Sequence, residues 1–295
     1  MSQRSKKILR LGLPKGSLQE TTHQLFTRAG FQLRIPPRSY YPEIDDPEID
    51  CILIRAQEMA RYVDQGVLDA GITGLDWTME NRAKVKELAD LRAPWPNYGP
   101  VRWVVAVKNG SKIKKPKDLE GKRIATEVMN LSKRYLKSHG VKADVEFSWG
   151  ATEAKPPVLA DAIIDVTETG SSLRANDLRI IDTVIESTPR FIANPESCKN
   201  AWKMRKMERL IMVLKGAINA ADRAGLMMNV PTDRLDKVLS LLPALATPTI
   251  SKLSDPKWVA INTVIEEKIV KDLFPRLSEA GARGIVEYPL NKIIE

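Results

Sequence analysis

Cysteine and histidine are scarce in this 295-residue chain, with two of each: Cys51 and Cys198, His23 and His139. Two cysteines cannot build a disulfide framework. No C-x-x-C or H-x-x-x-H spacing gathers ligands for zinc, so a metal here would be a hard cation held by oxygens, such as Mg2+. Neither histidine sits in a nucleophile-elbow context, which argues against a Ser-His-Asp triad. Cys51 lies in the apolar run Cys51-Ile52-Leu53-Ile54 and reads as a buried thiol. Aromatic residues make up only 6% of the chain, and no RNP-like or zinc-finger pattern occurs, so no nucleic-acid partner is expected. No apolar run approaches the ~18 residues of a spanning helix. The apolar stretch after the basic residues Arg4, Lys6 and Lys7 is broken by Arg10 and ends at Lys15, which is not a signal-peptide pattern. A cytoplasmic protein without a membrane partner is the expectation. Internal repeats and low-complexity linkers are also missing.

What is present is ordinary for a globular chain: 43% hydrophobic and 28% charged residues. The length suits about two domains, or three small ones. The net charge of +9 is unevenly spread. Residues 1–210 hold 35 basic against 27 acidic side chains, whereas residues 211–295 hold 11 against 10. Residues 101–150 alone carry 12 basic and 5 acidic. Such a surface attracts polyanions, nucleotide phosphates among them, although a solvated Lys/Arg face has the same composition.

Strand and helix signals alternate in the first segment, predicting a parallel α/β sheet. Strands are expected at residues 8–13, 50–54 and 69–73, with helices at 18–29 and 56–65 that Gly30 and Gly66 close. A second series starts at 101–107 and continues with strands near 124–126, 145–147 and 162–166 and a helix at 131–138. Residues 190–193 read as a strand that returns to the first sheet, followed by a long helix from about 197 to 208. The last third runs β-α-β-β-α-β: strands at 226–230, 249–253, 258–264 and 284–288, helices at 234–242 and 266–280. That order suggests a small ferredoxin-like module. The expected domains are residues 1–100 with 187–210 returning to them, residues 101–186, and residues 211–295.

Three segments carry the chemistry. In Asp161-Ala-Ile-Ile-Asp165-Val-Thr-Glu168-Thr169-Gly170-Ser171-Ser172-Leu173, a buried strand delivers two carboxylates into a turn of glycine and hydroxyls. Successive backbone N–H groups and hydroxyls there can cradle a phosphate, while a carboxylate suits ribose hydroxyls. An ordinary capped helix start has the same residues. Leu13-Pro14-Lys15-Gly16-Ser17-Leu18 puts a cation at a strand-to-helix turn, but is not a Walker A motif. Asp69-Ala70-Gly71-Ile72-Thr73-Gly74-Leu75-Asp76-Trp77 is a glycine-rich strand end of the kind where α/β proteins bind ligands, and equally one suited to tight packing.

Together with Ile54-Arg55-Ala56-Gln57, these segments closely resemble the ATP phosphoribosyltransferase family, in order and over nearly the whole chain. The chain continues some 85 residues past Leu210, as in the family's long form. The resemblance implies two periplasmic-binding-protein-like α/β catalytic domains plus a C-terminal ferredoxin-like regulatory domain. It implies condensation of ATP with 5-phosphoribosyl 1-pyrophosphate to N1-(5-phosphoribosyl)-ATP and pyrophosphate, the first step of histidine biosynthesis, with L-histidine as feedback inhibitor. It further implies Mg2+ carried by the substrate phosphates and a homo-oligomer, dimer to hexamer. By motif match, Lys15, Arg55, Asp69 and Asp165 would be catalytic. Asp165 and Asp161 would hold ribose hydroxyls, and Thr169, Gly170, Ser171, Ser172 and Leu173 the 5-phosphate. Gly16, Ser17, Gly71, Thr73 and Gly74 would face the nucleotide or pyrophosphate. Glu168 departs from the small or polar residue expected beside a phosphate nest, so it must point away or help to hold Mg2+. Asn229, Leu245, Thr249 and Gly284 would bind histidine. The alternative reading is a two-lobed small-molecule-binding or effector module without catalysis.

Overall fold

The computed structural model describes residues 7–95, 97–243 and 247–294. Two compact units divide within the helix Ala201–Asn219, between Ile211 and Met212, and Arg28–Gly30 belong with the second.

The first unit holds two α/β lobes. The chain runs through β1 (Leu9–Lys15), α1 (Gln19–Arg28), the two-residue strands β2 (Leu33–Arg34) and β3 (Glu43–Ile44), β4 (Ile49–Arg55), α2 (Ala56–Asp64), β5 (Ala70–Gly74), α3 (Leu75–Glu80) and β6 (Lys86–Asp90). It crosses into β7 (Val101–Lys108), β8 (Arg123–Thr126), α4 (Met129–Ser138), β9 (Asp144–Phe147), β10 (Ala162–Thr167), α5 (Ser171–Ala175) and β11 (Leu178–Ser187). It then returns through β12 (Pro189–Ala193), α6 (Pro195–Lys199) and α7 (Ala201–Asn219).

The first sheet is ordered β4-β1-β5-β12-β6, the second β11-β7-β10-β8-β9. Read from opposite ends, they repeat one plan. In the first, β1 lies parallel to β4 and β5, and β12 is inserted antiparallel between β5 and β6. In the second, β8 lies parallel to β9 and β10, and β7 is inserted antiparallel between β10 and β11. This is the two-lobed periplasmic-binding-protein architecture. The central strands are buried on both faces because helices cover both: the consecutive Leu11, Gly12, Leu13 and Pro14 of β1, and Ala162, Ile163 and Ile164 of β10, are all buried.

The sequence reading omitted β2, β3, α3, β6 and β11. It also ran one helix across Asn200, where the chain breaks between α6 and α7. The Asn200 side chain accepts from the N–H groups of Trp202 and Lys203 at 3.1 Å each, an N-cap that starts the second helix.

The second unit comprises β13 (Arg223–Pro231), α8 (Leu235–Leu239), β14 (Thr249–Lys252), β15 (Trp258–Glu266), α9 (Glu267–Ala280) and β16 (Arg283–Pro289). Its sheet, β14-β15-β13-β16, is antiparallel with the ferredoxin-like strand order. Period-two alternation sends Leu226, Met228 and Val230 of β13 into the core with Val259, Ile261 and Ile265 of β15, where α9 covers them with Val270, Leu273 and Leu277. Gly281, at φ 111°, closes α9 in the left-handed conformation that glycine favours. Among the described residues no helix is long and apolar enough to cross a membrane.

Candidate active site

Parallel strands end together, and in both lobes the carboxyl ends face one cleft of about 260 Å3. From the first lobe, Lys15 and Arg55 are register partners on β1 and β4, so their side chains leave neighbouring strand ends side by side. Both line the cleft with Gly16, Ser17 and Gly74. Gly16 sits at φ 106° with open space where a Cβ would be, and its carbonyl accepts from Gln19 N at the start of α1. Lys15 Nζ lies 4.0 Å from the Tyr40 ring centroid. Its hydrogen bond and charge, with the charge of Arg55, hold the Tyr40 phenol below its usual range. Asn97 and Gly99 reach the same cleft from the crossover between β6 and β7. The fully buried Tyr98 between them anchors that crossover, its hydroxyl 2.7 Å from Thr22 Oγ1 on α1.

From the second lobe, Glu127 and Val166 line the cleft, and Asp165 precedes Val166 on β10. Ile164 pairs with Thr126, which sets Asp165 level with Glu127 just past the end of β8. Burial pushes the Asp165 carboxyl up to about 7, against a bond from Val166 N and with added repulsion from Glu153 and Glu127. Burial and Glu153 raise Glu127 as well. The following turn is closed by its own hydroxyls: Gly170 N donates to Thr167 Oγ1 at 2.8 Å, and Thr169 Oγ1 lies 3.1 Å from Ser171 Oγ. Gly170, at φ 76°, caps α5. Thr169, Ser171 and Ser172 are exposed, so their polar groups are available to a ligand. Glu168 is exposed too, whereas Leu173 turns inward and packs against Val104 and Ile163.

Several expected site residues are not brought to the cleft. Asp69 stands at the amino end of β5, opposite the Gly74 end, and is 1% exposed. It accepts from Arg10 N at 2.9 Å, Ser197 Oγ at 2.7 Å and Lys203 Nζ at 2.6 Å. Burial raises its pKa, but these donors outweigh burial and hold it below the usual carboxylate range. Asp161 plays the same part in the second lobe: it precedes β10 and accepts from Arg123 N on β8 at 2.9 Å. Both pairs are reciprocal, since Asp69 N donates to Arg10 O and Asp161 N to Arg123 O, each at 2.9 Å. Two aspartates in equivalent positions thus tie strand starts together at the ends remote from the cleft. Gly71 is a packing residue, since a Cβ there would meet Met59 Sδ at 2.6 Å. Thr73 is buried and donates to Ala56 O at 2.7 Å.

In the second unit, Asn229 and Gly284 come together at a bulge in the pairing of β13 with β16; a Cβ on Gly284, at φ 57°, would stand 3.8 Å from Asn229 Nδ2. Thr249 begins β14 opposite Asn262, and both are exposed. Leu245 lies outside the described residues.

Sequence reasoning missed Glu127, Glu153, Tyr40 and Asn97. Glu127 carried a usable signal, as the first residue past the strand expected near 124–126. Among the described residues no group of three or more His, Cys, Asp or Glu is arranged to hold a metal ion.

The ATP phosphoribosyltransferase family model matches residues 55–216, and the model of that family's C-terminal domain matches residues 220–292. The chain is 60% identical to an ATP phosphoribosyltransferase of Solibacter usitatus, over 97% of this chain and 99% of that one. It is 57% identical to that of Thermodesulfovibrio yellowstonii, over 98% and 99%. Among solved structures it is similar to an ATP phosphoribosyl transferase (HisG:HisZ) complex from Thermotoga maritima, with a TM-score of 0.60 and 28% identity over 70% of this chain and 99% of that one. With the two-lobed cleft and the ferredoxin-like module in place, these matches make the chain a member of the ATP phosphoribosyltransferase family, the pentosyltransferases of histidine biosynthesis.

Proposed function

We propose that the cleft joins N1 of ATP to the anomeric carbon of 5-phosphoribosyl 1-pyrophosphate, forming N1-(5-phosphoribosyl)-ATP and releasing pyrophosphate as the first step of histidine biosynthesis. The observation that carries this reading is the opposition of two kinds of group across one cleft: Lys15 and Arg55 on the first lobe, and Glu127, with Asp165 level beside it, on the second. Adenine N1 is a neutral nucleophile, so the chemistry asks for alignment and for a stabilised leaving group rather than for a strong base. Lys15 and Arg55 neutralise the departing pyrophosphate, together with Mg2+ that enters as part of the substrates. Asp165 accepts from the ribose hydroxyls, and the 169–172 turn holds the 5-phosphate through its backbone N–H groups and hydroxyls. Glu127, and Asp165 when ionised, also place negative charge near the ribose ring, which gathers positive charge as the bond to pyrophosphate breaks. The test is pyrophosphate release measured with ATP, with phosphoribosyl pyrophosphate and with both. Release that needs both is expected; nucleotide binding without release would leave a non-catalytic binding module.

Gly170→Val tests the phosphate turn. A β-branched residue at φ 76° is strained, and its Cβ would meet Arg174 Nη1 at 3.0 Å. The KM for phosphoribosyl pyrophosphate is expected to rise about 10- to 100-fold, the equivalent of ~1.4–3 kcal/mol, in a variant that still folds but melts a few degrees lower because of the strain. An unchanged KM would remove the turn from the site.

The same reading assigns the second unit to L-histidine as feedback inhibitor, at Asn229, Thr249, Leu245 and Gly284, in a cytoplasmic homo-oligomer, dimer to hexamer. The bulge that sets Gly284 against Asn229 supports it, since a glycine backbone there leaves room for a ligand. Asn229→Ala is expected to weaken histidine inhibition about 10-fold, the loss of one good hydrogen bond to a charged ligand, with the uninhibited rate unaltered. Inhibition at the original concentration would place the effector elsewhere.

A further inference from the structure

We propose that Glu80 is a positioning residue: it latches one lobe to the other by capping α4, and so sets where Glu127 stands in the cleft. This rests on the reading of the cleft as the place where the two substrates react.

Helix α3 belongs to the first lobe by chain order, following β5 without a break, yet its side chains are engaged by the second lobe. Asp76 Oδ2 accepts from Trp103 Nε1 on β7 at 2.7 Å, and Asp76 Oδ1 accepts from Ser187 Oγ at 2.8 Å. Trp77 meets the Trp103 ring edge-on, with centroids 5.8 Å apart. Trp77 and Met79 pack against the second lobe's core beside Leu131 and Val105. Glu80 lies one turn beyond Asp76, on the same helix face. Its Oε1 accepts from Asn130 N at 3.0 Å and its Oε2 from Leu131 N at 2.9 Å, while its carbonyl accepts from Asn130 Nδ2 at 2.9 Å.

Those two N–H groups open α4, whose own N-cap residue is Val128. Valine has no side-chain acceptor, so the first turn of α4 would go uncapped within its own lobe. A carboxylate from the other lobe supplies the cap, and its charge faces the positive end of the helix dipole. Val128 directly follows Glu127, which lines the cleft opposite Lys15 and Arg55. Separating the lobes would strip α4 of this cap and leave the Glu80 carboxylate without its partners, so the capped state is the one that fixes Glu127.

The experiment uses Glu80→Ala and Glu80→Gln in the full chain. It combines kinetics for both substrates, melting temperature, and near-ultraviolet circular dichroism of the Trp77–Trp103 pair, which straddles the lobes. For Glu80→Ala, kcat/KM is expected to fall about 10-fold, mainly through higher KM for both substrates. The tryptophan signal should weaken without ligands and recover with ATP. Glutamine, which keeps one acceptor oxygen, should fall between alanine and wild type. A lower melting temperature with unchanged KM values and an unchanged tryptophan signal would reduce Glu80 to a helix cap and overturn the proposal. So would kinetics and dichroism indistinguishable from wild type. The dichroism needs no turnover, so it separates failure of the latch from failure of the transferase reading, which wild-type enzyme releasing no pyrophosphate would show.

Discussion

Asp69→Ala is expected to cost about 3 kcal/mol of folding stability while kcat/KM per folded molecule stays at the wild-type value. The aspartate is buried, and its removal strands Arg10 N and Ser197 Oγ and leaves Lys203 without its carboxylate. Lys203 is partly exposed and can recover some hydration, which keeps the loss at the lower end for a broken buried pair. The pH dependence has a definite sign. The folded pKa of Asp69 lies below the ordinary 3.8, so its contribution is complete above that value and is lost as pH falls through the folded pKa. Denaturant titrations at pH 7 and near pH 2.5 should show the wild-type advantage shrinking at the acid end. A large loss of kcat/KM in the fully folded variant would return Asp69 to the reaction.

Asp165→Asn should do the reverse, with kcat/KM falling about 10- to 1000-fold, or ~1.4–4 kcal/mol, while the folded state becomes more stable at neutral pH. Burial has raised this carboxyl from 3.8 to about 7, so its ionised form is the disfavoured one. Its neutral form contributes fully below 3.8, and that contribution is lost as pH rises through 7. Asparagine never ionises. The melting temperatures of variant and wild type should therefore coincide near pH 4 and separate by a few degrees at pH 8, with the variant higher. A variant that is less stable at pH 8 and fully active would make Asp165 a structural residue.

The comparison of Asp69 with Asp165 shows what was legible in the sequence. Both are aspartates on buried parallel strands in glycine-rich segments. A strand of five or six residues spans about 17–20 Å, and composition does not tell which end meets the cleft. Lys15 and Arg55 lie at carboxyl ends and line the cleft, Asp165 lies near the carboxyl end of β10, and Gly170 follows it. Asp69 and Asp161 stand at amino ends. The apolar strands β7, β10 and β12 announced themselves through Val, Ile and Ala. By contrast β6, Lys-Glu-Leu-Ala-Asp, is a polar edge strand, and β11 carries irregularities near Asp182 and Ile185 that break its alternation. Helix α3 has six residues and starts directly from β5, too short for a periodic signal. Groups that act across lobes, such as Glu80 with α4, leave no local pattern because the partner lies 50 residues away.

The insertion of β12 into the first sheet also governs how the chain can fold. Ala70 to Gly74 pair with Pro189 to Ala193, so the first lobe's sheet stays split between β5 and β6 until nearly two thirds of the chain has left the ribosome. The second lobe is continuous from β7 to β11 and has all its strands in hand by Ser187. Synthesis thus favours the lobe encoded second as the first to close, with the earlier lobe waiting on a pairing of high sequence separation, the slow kind of contact to form.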